Sequence, residues 1–484
     1  MIGGDWTSSE KTFSVTNKYS GVELESLTSA NTKDIDKAID SAFCAKQVMA
    51  KLPSHKRSSI LADTASLISK HSDKLSKTLA AESGKPLKYA IGEVERAVNT
   101  FSIAAEECKR IHGETFPADA VPSGENFQGY WQRKPVGVVA AITPFNFPLN
   151  LVAHKIAPAI AAGNPFILKP ASTTPLSSVE LMEILVEAGL PPQAANMVCG
   201  RGSITGPAIV GNDKVSKVSF TGSPDTGKDI VARAGLKKVT MELGNNSPLI
   251  VEDIGKNFEL NHVVSRAVTG AFAYQGQVCI SIQRIYVNRR LYDSFLNAFI
   301  KQTQDLTCSD PLLETTDLGP MISPLEAGRV RKWVEEARIA GAQIHCAGKL
   351  KDSESFVEPT IITNATESMK VMKEEVFGPV VSIVPYDDYE DALTRAEDSA
   401  FGLQAGIFTN DMEKAFTAID RLNYGGVIIN DIPTFRLDHQ PYGGNRNSGL
   451  GREGLRFAIE DMTTLQMVLF NRPPSVANDK TICR

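Results

Sequence analysis

The sequence predicts an α/β protein built on mostly parallel sheets, and three observations carry that expectation. Between Pro135 and Gly244 short apolar runs alternate with helical segments, and β-α-β alternation implies a parallel sheet covered by helices on both faces. A second stretch in the same style runs from Leu260 to about Asn445. The chain has 484 residues, about three times the commonest domain size, so more than one core is expected.

Within the first stretch, residues 136–142 (VGVVAAI) read as a buried strand, 151–162 as a helix, PFILK as a strand and 177–188 as a helix, with VSKVSF and KKVTMEL as later strands. In the second, Leu260, Val263, Val264, Ala267, Val268, Ala271 and Phe272 share one helical face, and RIYV, VVSIV and VIIN read as strands. Helical spacing also marks residues 35–77, broken at Pro53, and 90–111. Residues 113–127 (GETFPADAVPSGENF) have the Pro, Gly and Ser density of a loop. FQGYWQRK and the tail segment TLQMVLF alternate like strands with an open edge. Parallel sheets bind ligands beyond their C-terminal strand ends. The loops after Ile142, Lys169 and Phe220 are therefore the first places to seek a nucleotide.

Composition narrows the function. Lys plus Arg number 51 against 56 Asp plus Glu, a net charge of −5, which argues against a nucleic-acid partner. Seven cysteines without a CxxC pair suggest neither a disulfide framework nor a metal site. The start MIGGDWTSSEK has no secretory pattern, and the charge-free residues 135–153 hold three prolines and two asparagines, a poor membrane helix. A cytoplasmic protein with no membrane partner is expected.

Three residues could carry chemistry. Cys279, in YQGQVCISIQR, has small uncharged neighbours; it is either a nucleophile or a buried inert thiol. Glu242 ends an apolar strand before a Gly-Asn-Asn turn; a buried carboxylate there has a raised pKa and can serve as a general base, whereas a solvated one is merely a strand-end acid. Asn146, in ITPFNFPLN, can donate to an oxyanion or simply satisfy a turn. Gly222 and Ser223 in FTGSPDTGK open a helix whose free amides suit a phosphate. No GxGxxG follows a first strand.

TPFNFPLN, GNPFILKPAS, FTGSPDTG, MELGNNSP, GQVCIS and EEVFGPV occur in this order, and through them the chain, from Gly4 to Phe470, resembles the aldehyde dehydrogenase superfamily. The resemblance implies a variant Rossmann cofactor domain (residues 1–112 and 136–244), a second α/β catalytic domain (245–445) and a small β oligomerisation arm (113–135 and 461–475). It implies Cys279 as nucleophile, Glu242 as base, and Asn146 with the Cys279 N–H as oxyanion donors. Lys169 would reach the adenosine ribose, Ser223 the pyrophosphate, and Glu375 and Phe377 the nicotinamide riboside. Thr143, Pro144, Phe145, Ser172, Thr221, Gly222 and Gly244 would line the same cofactor site. An aldehyde would be oxidised through a thiohemiacetal and a thioester, by a homodimer or homotetramer.

Two departures refine this picture. Ser172 stands where many NAD-preferring relatives have glutamate, so NADP is favoured over NAD. His154 stands near where succinate-semialdehyde enzymes usually carry arginine. The segments around Asn146, Cys279 and Arg436 look most like the lactaldehyde, glyceraldehyde-3-phosphate and phosphonoacetaldehyde dehydrogenase branch, which acts on small hydroxylated or anionic aldehydes. Arg436, with His154 or Lys155 assisting, would then bind the substrate anion; otherwise it is a surface ion pair with Asp431 or Asp438. A succinate-semialdehyde-type enzyme, a non-enzymatic structural relative and a cysteine hydrolase remain the alternatives.

Overall fold

The computed structural model describes residues 1–9, 11–255, 258–346 and 354–472. Two large sheets dominate it. The first has six strands in the order Gly449–Leu450, Lys238–Glu242, Val215–Thr221, Val138–Ile142, Phe166–Lys169, Ala195–Met197. All its pairings are parallel except the one made by Gly449–Leu450. The second has seven strands, ordered Gln343–Cys346, Thr360–Thr363, Val380–Tyr386, Arg284–Asn288, Pro248–Val251, Gln404–Phe408, Gly426–Ile429. Only its Gln343–Cys346 edge is antiparallel. The α/β class with parallel sheets is as the sequence predicts.

The central strands of both sheets are buried on both faces, which is why they read as continuous apolar runs rather than alternating ones. Helix Asn150–Ala162 is buried along its whole length despite Pro158 within it. Its N-terminus is fixed by Glu93, whose carboxylate accepts the N–H groups of Leu149 at 2.9 Å and Asn150 at 3.0 Å. None of the described helices is long and apolar enough to cross a membrane.

A three-stranded antiparallel sheet pairs Thr463–Asn471 with Phe127–Pro135 and the latter with Glu114–Phe116. Residues 113–127, expected to be loop, thus contain the short strand Glu114–Phe116, where Phe116 packs across Gly129, and give up Phe127 to the next strand. The expected arm continues to residue 475, and 473–475 lie outside the described residues, as does Cys483. Other elements escaped the sequence patterns. The hairpin Thr12–Thr16 with Glu23–Thr28 is largely exposed and so lacks an apolar face, and helix Gly202–Val210 contains two glycines and a proline. The expected helix 90–111 is Leu87–Glu107 followed by the single turn Cys108–Arg110.

The turn that carries Cys279 is held in a costly shape. Tyr274, Gln275 and Gly276 follow helix Leu260–Phe272 with φ of 48°, 55° and 68°, a left-handed run that non-glycine residues adopt at about 1 kcal/mol or more each. Tertiary bonds impose it. Tyr274 Oη donates to the Ser83 carbonyl at 3.1 Å, and Gln275 Nε2 donates to the carbonyls of Gly84 and Pro320, both at 2.8 Å. A Cβ on Gly276 would lie 2.1 Å from the Gly378 carbonyl oxygen. Gly276→Ala is therefore expected to destabilise the protein by about 3 kcal/mol through combined clash and strain, read as a lower urea midpoint; an unchanged midpoint would show that the turn is not fixed here.

Candidate active site

Cys279, Glu242 and Asn146 come from three different segments and converge between the two sheets. Glu242 is the last residue of strand Lys238–Glu242, at the C-terminal end of the first sheet. Asn146 lies in the loop after strand Val138–Ile142. Its Nδ2 donates to the Gln277 carbonyl at 3.0 Å, which ties it to the Cys279 turn and leaves its second N–H available. Cys279 is half-buried and in electrostatic contact with Glu242.

The electrostatics of the three groups are distinct. Burial pushes the Cys279 thiol up to about 11, opposed by a hydrogen bond from Tyr442 and by the charge of Arg436. Glu242 is buried with both carboxylate oxygens unpartnered. Burial first and the neighbouring Glu453 second hold its pKa well above the usual carboxylate range. A naked carboxyl of this kind is rare in a folded interior.

Cys279 opens onto a pocket of 370 Å³ lined on its apolar side by Phe147, Tyr274, Val278, Ile280, Ile432 and Phe435. Its polar wall is cationic: Lys85, Lys88, Arg96, Arg266 and Arg436 against the single acid Glu93. Arg436 is almost fully buried. Its Nη2 lies 3.3 Å from Glu453, its guanidinium lies 3.6 Å from the centre of the Tyr442 ring, and its Nε–H has no partner.

Arg436 is therefore not the surface ion pair offered as its alternative. Asp431 is taken bidentately by Arg266 at 2.8 Å, and Asp438 by Arg96 at 2.7 Å. His154, expected at the substrate, does not line the pocket. It sits in the buried helix behind Asp438, with Nε2 at 3.0 Å from that carboxylate, and burial lowers its pKa so that the ring is neutral. Lys155 is likewise turned away, paired with Glu453 at 2.7 Å.

Sequence reasoning missed Arg96, Arg266, Tyr442 and Glu453. Lys85 and Glu93 were missed as well, and there a signal was present: Glu93 falls on the same face of helix Leu87–Glu107 as buried Ala90, Val94, Ala97 and Phe101, and a carboxylate on a core face needs a cation, here Lys85.

A second cleft, of 720 Å³, lies beyond the C-terminal strand ends of the first sheet. Thr143, Pro144, Lys169, Ser172, Thr221, Gly222 and Ser223 line it, with Gly202, Ser203, Gly206 and Arg233 opposite. Ser223 caps helix Pro224–Ala234, accepting the Thr226 N–H at 3.4 Å. The Ser172 hydroxyl donates to the Gly200 carbonyl at 2.7 Å. Phe145 lies outside this lining, edge-on to Phe377 at 5.8 Å. Glu375 accepts the Asn245 N–H at 2.9 Å beside Gly244, where a Cβ would lie 2.5 Å from the Glu375 carboxylate. Thr143 and Thr221 hold buried hydroxyls without partners. A helix N-terminus, idle hydroxyls and a lysine beside close-packed glycines suit the phosphates and ribose of a dinucleotide.

The model of the aldehyde dehydrogenase family matches residues 6–468. The chain belongs to the aldehyde dehydrogenase family. It is 43% identical over 470 residues to the 3-sulfolactaldehyde dehydrogenase of Priestia aryabhattai, covering 97% of each chain. It superposes on aldehyde dehydrogenase 21 from Physcomitrella patens in complex with the reaction product succinate, at a TM-score of 0.94 with 40% identity and 98% coverage of both chains. The glyceraldehyde-3-phosphate dehydrogenase GapN from Methanocaldococcus jannaschii, complexed with NADP, matches at 0.90 with 38% identity, covering 96% of this chain and 100% of that one. As an aldehyde dehydrogenase the protein is an NAD(P)-dependent enzyme, of the branch expected from its sequence, and the structural-relative and hydrolase alternatives fall away.

Proposed function

We propose that this aldehyde dehydrogenase oxidises a small aldehyde carrying an anionic group, hydroxylated or not, to its carboxylic acid, and that it favours NADP. The observation that carries this reading is Arg436, a buried guanidinium lining the Cys279 pocket with an unpartnered Nε–H. Arg96, with Nε and Nη2 engaged by Asp438, supports it from the facing helix. A planar fork of donors suits a carboxylate, sulfonate or phosphate. A carboxylate-bearing substrate has added support from the relative complexed with succinate. Arg96 and Arg436, both lining the pocket, would take the part of the arginine that position 154 lacks.

In the mechanism proposed, the Cys279 thiolate attacks the aldehyde carbon. The oxyanion that forms accepts hydrogen bonds from Asn146 Nδ2 and the Cys279 N–H. A nicotinamide dinucleotide in the second cleft would supply the acceptor for the hydride that leaves the aldehyde carbon, so that a thioester remains on Cys279. Glu242 then takes a proton from water, which attacks the thioester and frees the acid. The idle oxygens of Glu242 suit that task, because no hydrogen bond must break before they receive a proton. Lys169, Ser172, Thr221 and Ser223 would hold the dinucleotide, and neutral Ser172 tolerates a 2′-phosphate that a carboxylate would repel. The exposed side chains of Leu465, Met467, Leu469 and Phe470 on the outer strand Thr463–Asn471 support a homodimer or homotetramer that covers this edge.

Three measurements test the proposal. Arg436→Ala is expected to raise KM at least about tenfold for succinate semialdehyde, 3-sulfolactaldehyde and glyceraldehyde 3-phosphate while leaving KM for propanal unchanged, whatever fall in kcat all four share; an equal rise in KM on all four would refute anion recognition. Glu242→Gln is expected to give a rapid burst of reduced cofactor followed by turnover slowed about a hundredfold. Because the pKa of Glu242 is raised by burial and by Glu453, its basic form accumulates only as pH rises above the usual carboxylate range, so native hydrolysis should quicken with rising pH and the variant should lose that dependence. Ser172→Glu should move the kcat/KM ratio toward NAD by about tenfold; an unmoved ratio would place the 2′-phosphate elsewhere.

A further inference from the structure

Tyr442 is the one side chain among the described residues in hydrogen-bond contact with the Cys279 sulfur, its Oη lying 3.2 Å from Sγ. That hydroxyl has no other partner among the described residues. The ring is held from two sides. The backbone of Tyr442 bridges that of Glu453 in both directions, at 3.1 and 2.6 Å, and the Arg436 guanidinium covers its face at 3.6 Å. Arg436 is itself tied to the Glu453 carboxylate at 3.3 Å. The backbone bridge fixes where the residue sits, and the phenol cannot swing away without breaking the cation–π contact.

We propose that Tyr442 is a catalytic residue whose hydroxyl donates a hydrogen bond to the Cys279 thiolate, aiming the sulfur into the pocket and stabilising it before attack. The proposal rests on the reading of Cys279 as nucleophile. As a thiol, Cys279 can be either donor or acceptor toward Oη; once the thiol proton has left to solvent, only the phenol can donate. The bond thus strengthens as the sulfur becomes anionic, where a charge-assisted hydrogen bond is stronger than a neutral one. The charged and titratable groups facing the sulfur are Arg436, which reinforces the thiolate, and Glu242 and Glu375, which oppose it. Arg436 contacts both the pocket and the Tyr442 ring, so the residue proposed to read the substrate anion also holds the donor that readies the nucleophile.

The test is alkylation by iodoacetamide, in which the Cys279 sulfur forms a bond to carbon and iodide leaves, followed across pH with the labelled residue identified by peptide mass. In Tyr442→Phe, with its melting temperature measured as a control on folding, Cys279 should label about tenfold more slowly at pH 7.5, the midpoint of the profile should move about one pH higher, and kcat should fall while KM for a neutral aldehyde holds. Native rate and midpoint in a folded variant would overturn the proposal and leave Tyr442 a packing residue. Should the phenylalanine variant not fold, 3-fluorotyrosine at position 442, a stronger donor of the same shape, should move the midpoint lower, and no movement would overturn it. If native protein labelled at Cys279 keeps full dehydrogenase activity, it is the nucleophile reading that fails, whatever the effect of Tyr442 on the thiol.

Discussion

The buried carboxylate of Glu453 is the point on which the active-site geometry turns. It receives Lys155 at 2.7 Å from the helix beneath the first sheet and Arg436 at 3.3 Å from the loop that closes the pocket. Its backbone is bridged to Tyr442. Taking three charged groups out of water costs several kcal/mol per ion unless they satisfy one another, so none of them can be moved alone. The clasp joins sequence positions 155, 436, 442 and 453, and through Tyr442 it reaches Cys279.

The pocket wall shows the same economy of placement. Lys88 pairs with Asp317, Arg96 with Asp438, Arg266 with Asp431 and Arg436 with Glu453, and none of those four carboxylates lines the cavity. The cations face inward and their partners stand behind them. Each pair is thus an oriented dipole with its positive end toward the pocket, an arrangement that attracts an anion without leaving an unpaired charge in the empty site. His154 belongs to this rear layer. By donating to Asp438 it helps hold the carboxylate that holds Arg96, so its effect on a substrate passes through two other residues.

Much of the fold was legible because the central strands are apolar on both faces and the helices between them keep their period. Cys279, Glu242 and Asn146 could be singled out because each breaks the pattern around it: a thiol among small residues, an acid ending an apolar strand, an amide among prolines and phenylalanines. Arg96, Arg266 and Tyr442 break no local pattern. Arginine on a helix reads as solvated surface, and tyrosine before two glycines reads as a turn. Their meaning comes from partners far along the chain, since Arg96 and Asp438 are 342 residues apart and Tyr442 and Cys279 are 163 apart. The hairpin Thr12–Thr16 with Glu23–Thr28 was invisible for the opposite reason, having almost nothing buried to impose a period.

The contrast between Glu242 and Glu453 shows how one field sets two carboxylates to different tasks. They repel one another across the site, so the one in direct contact with cations keeps its charge, and that charge pushes the other's pKa up. Lys155 and Arg436 are both in hydrogen-bond contact with Glu453, whose pKa falls well below the usual carboxylate range, whereas Glu242 has neither contact and is pushed up. The room around Glu242 is kept by Gly443, where a Cβ would lie 2.9 Å from its Oε1. A side chain there would press on the carboxylate the proposed hydrolysis requires to be open to water. The acid that stays charged organises the site, and the acid denied a partner is the one to which the proposed hydrolysis assigns the proton exchange.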